Sequence, residues 1–300
     1  MKRNILETIG NTPLIHLGKV LQEAGFHLFG KLEALNPGGS IKDRAALAIL
    51  EDALRSGAVG PRTVIVESSS GNMGIGLAQA CRYHGLRFIC VVDSNTTSQN
   101  TRILRAYGAE IDVVTEPDPE TGELLQARLA RARDLVAQLG DAFWPNQYAN
   151  ERNPEAHYRT TMHEISRALQ GKVDYLFVAT STCGTVRGCA EYARDHGLGT
   201  RIIAVDAVGS LIFSTEKRPR RIPGLGAGMR PPLCDLSLID EVVHVTDWDC
   251  VESCRQLHDA RRAGGYQTPI PQRGKRARER EVRLQHRLRR SDRRRSQPDR

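Results

Sequence analysis

Short apolar runs alternate with helix-length amphipathic segments along most of the chain. The pattern predicts early strands at 12–16 and 27–32, followed by strands at 63–67, 87–93, 110–115, 175–180, 201–206 and 242–246. Predicted helices follow most of these strands, at 40–57, 72–84, 97–107, 123–139, 155–169, 185–196 and 249–263. Strands that alternate with helices are typical of parallel sheets covered on both faces. The pattern therefore predicts an α/β protein, with an irregular crossing at 143–154.

One turn, at residues 36–44, carries the strongest candidate for chemistry. Pro37, Gly38 and Gly39 predict a tight turn, and Ser40 with Asp43 forms a capping-box pattern at the start of a helix. Lys42 then lies in the first helical turn, where a positive charge opposes the helix dipole. A neutral amine or an imine suits that position better, and such an amine forms Schiff bases with carbonyl compounds. A solvated surface lysine is the alternative.

Two loops rich in Gly, Ser and Thr, at 68–74 and 181–185, each follow a predicted strand and open a helix. Backbone N–H groups at the carboxyl ends of parallel strands form anion sites. Neither loop has the pattern of a dinucleotide or P-loop site. One reactive lysine and two anion-binding loops fit a cofactor with one aldehyde and one phosphate, acting on a carboxylate substrate. That combination indicates pyridoxal 5'-phosphate (PLP).

The same segments resemble a known family. Residues 36–44 resemble the N-P-x-x-S-x-K-D-R motif of the fold-type II PLP-dependent cysteine synthase family. Three other motifs of that family are resembled by residues 8–14, 69–74 and 181–185. Further runs resemble the branch that joins O-phospho-L-serine to L-glutamate for 2,3-diaminopropionate and siderophore biosynthesis; they lie at 67–74, 113–118, 146–150, 203–209 and 220–226. The resemblance extends from about residue 8 to residue 265.

The resemblance implies a tryptophan synthase β-like fold of two three-layer αβα domains with mainly parallel sheets. The larger domain, 1–36 plus 149–265, would bind the PLP phosphate, and the smaller domain, 37–148, would carry the substrate loop. Lys42 would hold PLP as a Schiff base and act as the catalytic base. The implied cofactor-binding residues are Lys42, Asn72, Ser181, Thr182, Cys183, Gly184 and Thr185. The implied substrate-binding residues are Ser69, Ser70, Gly71, Met73, Gln147, Arg220 and Arg221.

The implied reaction is a β-replacement by a PLP-dependent transferase, with O-phosphoserine and glutamate as substrates and a homodimer as the assembly. A cysteine synthase that uses sulfide is one alternative, and an inactive truncated homologue is another. Arg220 and Arg221 would approach the leaving phosphate, although a solvated basic cluster with Lys217 and Arg218 explains them equally well. Met73 stands where the family has a threonine, so it would add an apolar wall in place of a hydroxyl.

The charge distribution and the cysteine pattern indicate the cellular compartment in which the protein works. The net charge of +8 comes from the end of the chain, since residues 273–300 hold thirteen Lys/Arg and four Asp/Glu. Seven scattered cysteines without a C-x-x-C pair indicate reduced thiols and neither a disulfide framework nor a metal site. The chain has no apolar run long enough for a membrane and no signal-peptide core, which favours the cytoplasm.

The last 35 residues, 266–300, are Arg-rich and poor in apolar side chains. Such a composition predicts a disordered basic tail. The family continues after Gly264 and Gly265 with a G-G-S-[ST]-G turn, whose hydroxyl contacts the pyridine nitrogen, and with closing helices, whereas this chain continues Tyr-Gln-Thr-Pro. We interpret the segment as an altered C-terminus. A nucleic-acid-binding arm is less favoured, because no aromatic residue follows Tyr266.

Overall fold

The structure, a computed structural model, describes residues 1–18 and 25–262. A helical turn at Leu6–Thr8 precedes an antiparallel hairpin of β1 (Leu14–His16) and β2 (Phe29–Lys31), in which Ile15 pairs with Gly30. A second helical turn, Glu33–Leu35, then leads into the turn that carries Lys42. The hairpin therefore lies directly before the candidate active lysine in the chain.

The first parallel sheet follows. Its elements are α1 (Lys42–Ser56), β3 (Val64–Ser68), α2 (Asn72–His84), β4 (Phe88–Asp93), α3 (Ser98–Ala106), β5 (Glu110–Val114), α4 (Leu124–Leu139) and β6 (Ala142–Phe143). The strands lie in the order β5-β4-β3-β6, and Ile65 pairs with Phe88. Every residue of β3 and β4 is buried, as expected for central strands of a parallel sheet.

Hydrophobic clusters cover both faces of this sheet. Val64 and Val66 pack with Leu135 of α4, whereas Ile65 packs with Leu50 of α1 and Leu77 of α2. Successive residues of a strand point to opposite faces, so this division shows α4 on one side and α1 with α2 on the other. The sheet is the middle layer of an αβα sandwich.

The second parallel sheet is built from later elements. They are α5 (Arg152–Ala156), a π-helical turn (His157–Met162), α6 (His163–Ala168), β7 (Tyr175–Ala179), α7 (Gly184–Asp195), β8 (Arg201–Ala207), a short helical turn (Leu236–Leu238), β9 (Glu241–Val245) and α8 (Asp247–Arg262). The strand order is β7-β8-β9, and Tyr175 pairs with Arg201. Val178 of β7 is buried in a cluster with Val186 of α7, while the neighbouring Phe177 is 49% exposed.

Most predicted elements are confirmed within a few residues, but two features were missed. The strand β6 was not predicted and ends at Phe143, the first residue of the predicted irregular crossing; two residues are too few to show an alternating pattern. The helix predicted at 155–169 is interrupted by the π-helical turn. A π-helical turn differs from an α-helix by one extra residue per turn, which leaves no clear mark in the spacing of apolar residues.

By its contacts, the chain divides into two compact units, Met1–Cys254 and Arg255–Arg300. The predicted division into domains 1–36 plus 149–265 and 37–148 stays a prediction. The prediction of a disordered tail at 266–300 concerns residues outside those that the structure describes. All seven cysteines lie in the described part, and each is a free thiol. Across residues 1–18 and 25–262, no helix has the length and apolarity needed to cross a membrane.

Candidate active site

Lys42 is the first residue of α1 and directly follows the predicted turn. Gly39 adopts φ 84°, a left-handed conformation that favours glycine. The Ser40 hydroxyl oxygen accepts a hydrogen bond from the backbone N–H of Lys42, at 3.1 Å. Protein atoms around the Lys42 amine desolvate it and lower its pKa, and the nearby Cys183 thiol offsets part of this effect. The site therefore favours the uncharged amine, which is the nucleophilic form.

The predicted capping box at Ser40 and Asp43 is wrong in detail. The helix begins at Lys42, two residues after the predicted start at 40, with Ile41 as its N-cap in place of Ser40, and the Asp43 carboxylate accepts from the backbone N–H of Gly38. A Cβ at Gly38 would overlap the Asp43 carboxylate, so glycine is required for this close approach. Burial raises the pKa of Asp43 to about 6. Asp43 thus fixes the turn before Lys42 to the helix after it.

A buried network of charged residues also holds the start of α1. The Arg44 guanidinium, 1% exposed, bonds Glu33 through Nε at 2.8 Å and Glu164 through Nη1 at 2.6 Å. Lys31 of β2 bonds the same Glu164 at 2.6 Å. The N-terminal hairpin, α1 and α6 are therefore linked next to Lys42. Removing one member would leave a buried charge unpaired, which is strongly destabilising.

The first Gly/Ser loop connects β3 to α2. The Ser69 hydroxyl oxygen accepts from the backbone N–H of Gly74 at 2.9 Å, so this predicted substrate residue also holds the loop on the helix. Asn100 of α3 donates to the Ser70 carbonyl at 3.0 Å. Gly71 precedes the helix, and Asn72 at its first position is exposed. The loop is thus supported from both ends, with Asn72 accessible at the helix N-terminus.

Met73 belongs to the helical end of that loop, whereas Gln147 contacts the strand end that precedes it. Met73 is buried in the hydrophobic cluster of α1 and α2, so its contribution is apolar packing. Gln147 is buried, and its side-chain amide donates to the Ser68 carbonyl at 3.2 Å. Its backbone N–H donates to the carboxylate of Glu67, which is fully buried in β3. Burial raises the pKa of Glu67 to about 7.

The second loop connects β7 to α7. Cys183 adopts φ 64° as the N-cap residue, and Gly184 begins the helix. Asn153 of α5 packs against this turn, because its side-chain amide donates to Thr182 Oγ1 at 3.1 Å and to the Gln147 carbonyl at 2.8 Å. A Cβ at Gly184 would overlap the Asn153 side chain. The first N–H groups of a helix have no intrahelical acceptor, so this turn presents donors to an anion.

Electrostatic interactions show that Lys42 and the second loop lie close together. The Lys42 amine and the Cys183 thiol each influence the pKa of the other. His157, in the π-helical turn, is fully buried, and burial lowers its pKa well below the usual range, with smaller contributions from the nearby Lys42 and Arg44 side chains. Asn153 connects the same loop to Gln147. The structure therefore brings together Lys42, the second loop and Gln147.

The structure separates the two predicted phosphate-binding arginines. Arg220 is half-buried, donates from Nη1 to the Leu225 carbonyl at 3.0 Å, and is close enough to Tyr148 to influence the pKa of its phenol. Arg221 is exposed, and its backbone N–H donates to Asp247. The charge of Arg128, which forms an ion pair with Asp93 at 2.8 Å, also affects the pKa of the Tyr148 phenol. Arg220 and Arg128 thus place two cationic groups near the phenol of Tyr148, whereas Arg221 is exposed.

These residues fit the predicted cofactor. A desolvated lysine amine is suited to a Schiff base with an aldehyde, and the N-terminus of α7 is suited to a phosphate. Within the described residues, Asn153 Oδ1 is buried at this turn without a hydrogen-bond partner. An amide oxygen is a hydrogen-bond acceptor, so this atom needs a donor and does not itself bind an anion such as the phosphate.

Three residues of the site were missed from the sequence. Glu67, Asn153 and His157 are buried polar groups that touch Gln147, Thr182 and Thr185, respectively. Polar residues of that kind look like surface positions in a sequence, since their partners are distant in the chain. The signal that could have found Glu67 is its place inside an otherwise apolar strand, Val-Ile-Val-Glu-Ser.

Comparisons with known proteins point to one family. The model of the pyridoxal-phosphate dependent enzyme family matches residues 5–265. Over 255 residues the chain is 46% identical to N-(2-amino-2-carboxyethyl)-L-glutamate synthase of Ralstonia nicotianae, covering 85% of this chain and 75% of that protein. The enzyme of the same name from Cupriavidus metallidurans is 44% identical over 254 residues, which are 85% of this chain and 74% of that protein. The crystal structure of an O-acetylserine dependent cystathionine beta-synthase from Helicobacter pylori superposes on the chain with a TM-score of 0.79 at 28% sequence identity. The superposition covers 87% of this chain and 84% of that protein.

Proposed function

Because the chain belongs to the pyridoxal-phosphate-dependent enzyme family, we propose that it replaces the phosphate of O-phospho-L-serine with the amino group of L-glutamate. The product would be N-(2-amino-2-carboxyethyl)-L-glutamate. Family membership confirms the predicted PLP cofactor, the fold-type II α/β architecture and the enzyme class. The substrate choice rests on one observation, the identity of 46% and 44% to two synthases named for this product.

Lys42 has two roles in this proposal. It binds the cofactor covalently, and its amine, once displaced by the amino acid, removes the proton at Cα and later returns it. Bound PLP supplies the electron sink that makes this proton acidic. Both roles need an uncharged amine, and desolvation at the start of α1 lowers the pKa of Lys42 in that direction.

The second loop would hold the cofactor phosphate. The backbone at 181–185 forms the N-terminus of the twelve-residue helix α7, and the hydroxyls of Thr182 and Thr185 add donors. Asn153 holds Thr182 in place at 3.1 Å. A phosphate at a helix N-terminus gains both N–H donors and a favourable dipole.

The first loop would bind the carboxylate of the amino-acid substrate. Ser69, Ser70 and Gly71 lie before the N-terminus of α2, and Gln147 is held against the same strand end through Ser68. Asn72, exposed at the first position of α2, would contact the cofactor ring. Since β3 and β6 are adjacent parallel strands, their carboxyl ends bring the loop and the segment carrying Gln147 to one edge of the sheet.

Arg220 would bind the leaving phosphate. It is half-buried near Tyr148 and, among the described residues, has no carboxylate within ion-pair distance. Lys217 and Arg218 of the same segment pair with Glu123 and Glu216. A guanidinium without a carboxylate partner is available for a dianionic group.

Product identification tests the reaction. The protein is incubated with PLP and O-phosphoserine, together with either glutamate or sulfide, and the products are identified by mass spectrometry while phosphate release is measured. We expect the glutamate adduct and equimolar phosphate. Cysteine formed faster than the adduct would establish the alternative, a cysteine synthase. Tight cofactor binding without either product would indicate an inactive homologue.

We also propose a cytoplasmic homodimer that works in 2,3-diaminopropionate and siderophore biosynthesis. The hairpin region exposes several large apolar side chains, Ile15, Phe26, Phe29 and Leu35. Such clusters on a soluble protein mark interaction surfaces. Sedimentation velocity measures the assembly directly, and a monomer at micromolar concentration would overturn this part of the proposal.

A further inference from the structure

His157 lies where the helix that follows the crossing segment changes its winding. Residues 157–162 form a π-helical turn between α5 and α6. Such single turns occur frequently at functional sites, because the extra residue redirects a side chain. The imidazole is fully buried, and it touches two threonine hydroxyls.

Close helix packing brings this histidine to the phosphate loop. Gly184 and Gly188 lie one turn apart on α7, and a Cβ at Gly188 would overlap the carbonyl of Pro154 and crowd the backbone of Tyr158. The two glycines therefore let α5 and the π-helical turn rest directly on α7. His157 Nε2 consequently lies 3.2 Å from Oγ1 of Thr185.

The second ring nitrogen of His157, Nδ1, also lies within hydrogen-bond distance of a threonine hydroxyl. His157 Nδ1 lies 2.9 Å from Oγ1 of Thr161, which is also buried. Burial, with a smaller contribution from the nearby Arg44 guanidinium, holds the pKa of His157 well below its usual range, so the ring is neutral. A neutral imidazole has one donor and one acceptor nitrogen. Only one of the two threonines can therefore receive a proton from it.

The two tautomers have different consequences for Thr185. If Nδ1 carries the proton, Nε2 accepts from Thr185, and the threonine hydroxyl is turned away from the loop. If Nε2 carries the proton, it donates to Thr185 Oγ1, while Nδ1 accepts from Thr161. The Thr185 hydroxyl proton is then free to point into the loop at 181–185. An anion in the loop favours the second arrangement, because it needs donors.

We propose that His157 is a positioning residue that donates from Nε2 to Thr185 Oγ1 and thereby directs the Thr185 hydroxyl at the phosphate of the cofactor. The inference rests on the proposed phosphate loop and is independent of the substrates. It accounts for a buried histidine that takes no part in the proposed reaction.

PLP titration and 31P NMR of the bound cofactor test the proposal. His157→Leu removes the donor, and we expect PLP affinity to fall by about tenfold, the scale of one hydrogen bond to a charged group, with a shifted phosphorus resonance. His157→Gln places an amide N–H near the position of Nε2 and should restore most of both properties. His163→Leu is the matched control, since His163 is exposed on α6 and contacts Tyr192. It should leave affinity and resonance unchanged.

A double-mutant cycle shows whether His157 acts through Thr185. Thr185→Val alone should weaken PLP binding, and adding His157→Leu should then cause little further loss. Additive losses, or a His157→Leu protein with normal affinity and resonance, would overturn the proposal. If Thr185→Val itself has no effect, the placement of the phosphate loop fails instead. If His157→Leu does not fold, Thr161→Val is the alternative variant, because the Thr161 hydroxyl contacts the same imidazole ring. Thr161→Ser keeps that hydroxyl and is expected to restore PLP binding.

Discussion

Replacing Arg220 with alanine should selectively impair the use of O-phosphoserine. The half-buried guanidinium of Arg220 donates to the Leu225 carbonyl at 3.0 Å and lies near the phenol of Tyr148. Arg221 is the next residue, but it is exposed and meets Asp247 through its backbone. The two neighbouring arginines therefore form a matched pair, of which only the first is half-buried and proposed to bind the substrate phosphate.

The size of the effect follows from the charge of the leaving group. A hydrogen bond to a charged group is worth about 1.5–3 kcal/mol, which corresponds to a loss in kcat/KM of roughly tenfold to a hundredfold. The acetyl ester of O-acetylserine is uncharged in the substrate and leaves as a monoanion, without the charge of a phosphate group, so its kcat/KM should fall by about twofold or less. Arg220→Lys keeps the charge but loses the planar fork, and we expect an intermediate value.

The assay compares initial rates of phosphate and acetate release for wild type, Arg220→Ala, Arg220→Lys and Arg221→Ala, with glutamate as the second substrate. Thermal melts confirm that each variant is folded. Equal losses on both substrates for Arg220→Ala would show that the residue supports the fold and does not bind phosphate. A loss with Arg221→Ala as large as with Arg220→Ala would contradict the assignment based on burial.

Two further predictions concern buried groups. Lys42→Ala should abolish the absorbance of lysine-bound PLP and the turnover, whereas a remaining borohydride-reducible adduct on the chain would exclude Lys42 as the attachment site. Glu67→Gln should flatten the pH dependence of stability, because burial raises the pKa of Glu67 from 4.5 to about 7 in the folded chain. The stability contributed by its protonated form is present below pH 4.5 and is lost as pH rises to about 7, a difference of about 3 kcal/mol. Chemical denaturation at several pH values measures the slope, with the exposed Glu110→Gln as control; an unchanged slope would refute the raised pKa.

The parallel sheets and the lysine turn could be predicted because their signals are local. Apolar runs such as 63–67 and glycine at position 39 report the conformation of their own backbone, and the structure confirms the strand and the left-handed φ of 84° there. The capping box failed although its residues are adjacent in sequence. The Asp43 carboxylate accepts from the backbone N–H of Gly38, outside the pattern, because Gly38 has no side chain to prevent the close approach.

The supporting residues of the site could not be predicted, because each depends on contacts between distant segments. Asn153 touches Thr182 across 29 positions, and His157 touches Thr185 across 28. Both contacts exist because Gly184 and Gly188 let α7 approach the earlier helices. A glycine in a helix is read from sequence as a weakening residue, since it lowers helix propensity. Only the packed structure shows what the missing side chain makes room for.

Asn153 connects the two halves of the candidate site physically. One side-chain amide nitrogen donates both to the Gln147 carbonyl at 2.8 Å and to Thr182 Oγ1 at 3.1 Å. Gln147 in turn donates to Ser68, at the end of the strand that precedes the substrate loop. A shift of the phosphate loop that moved Thr182 would therefore strain the hydrogen bonds of Gln147 as well. Because buried donors are costly to leave unpaired, these contacts favour a concerted movement or none, which holds the two loops at a constant distance from each other.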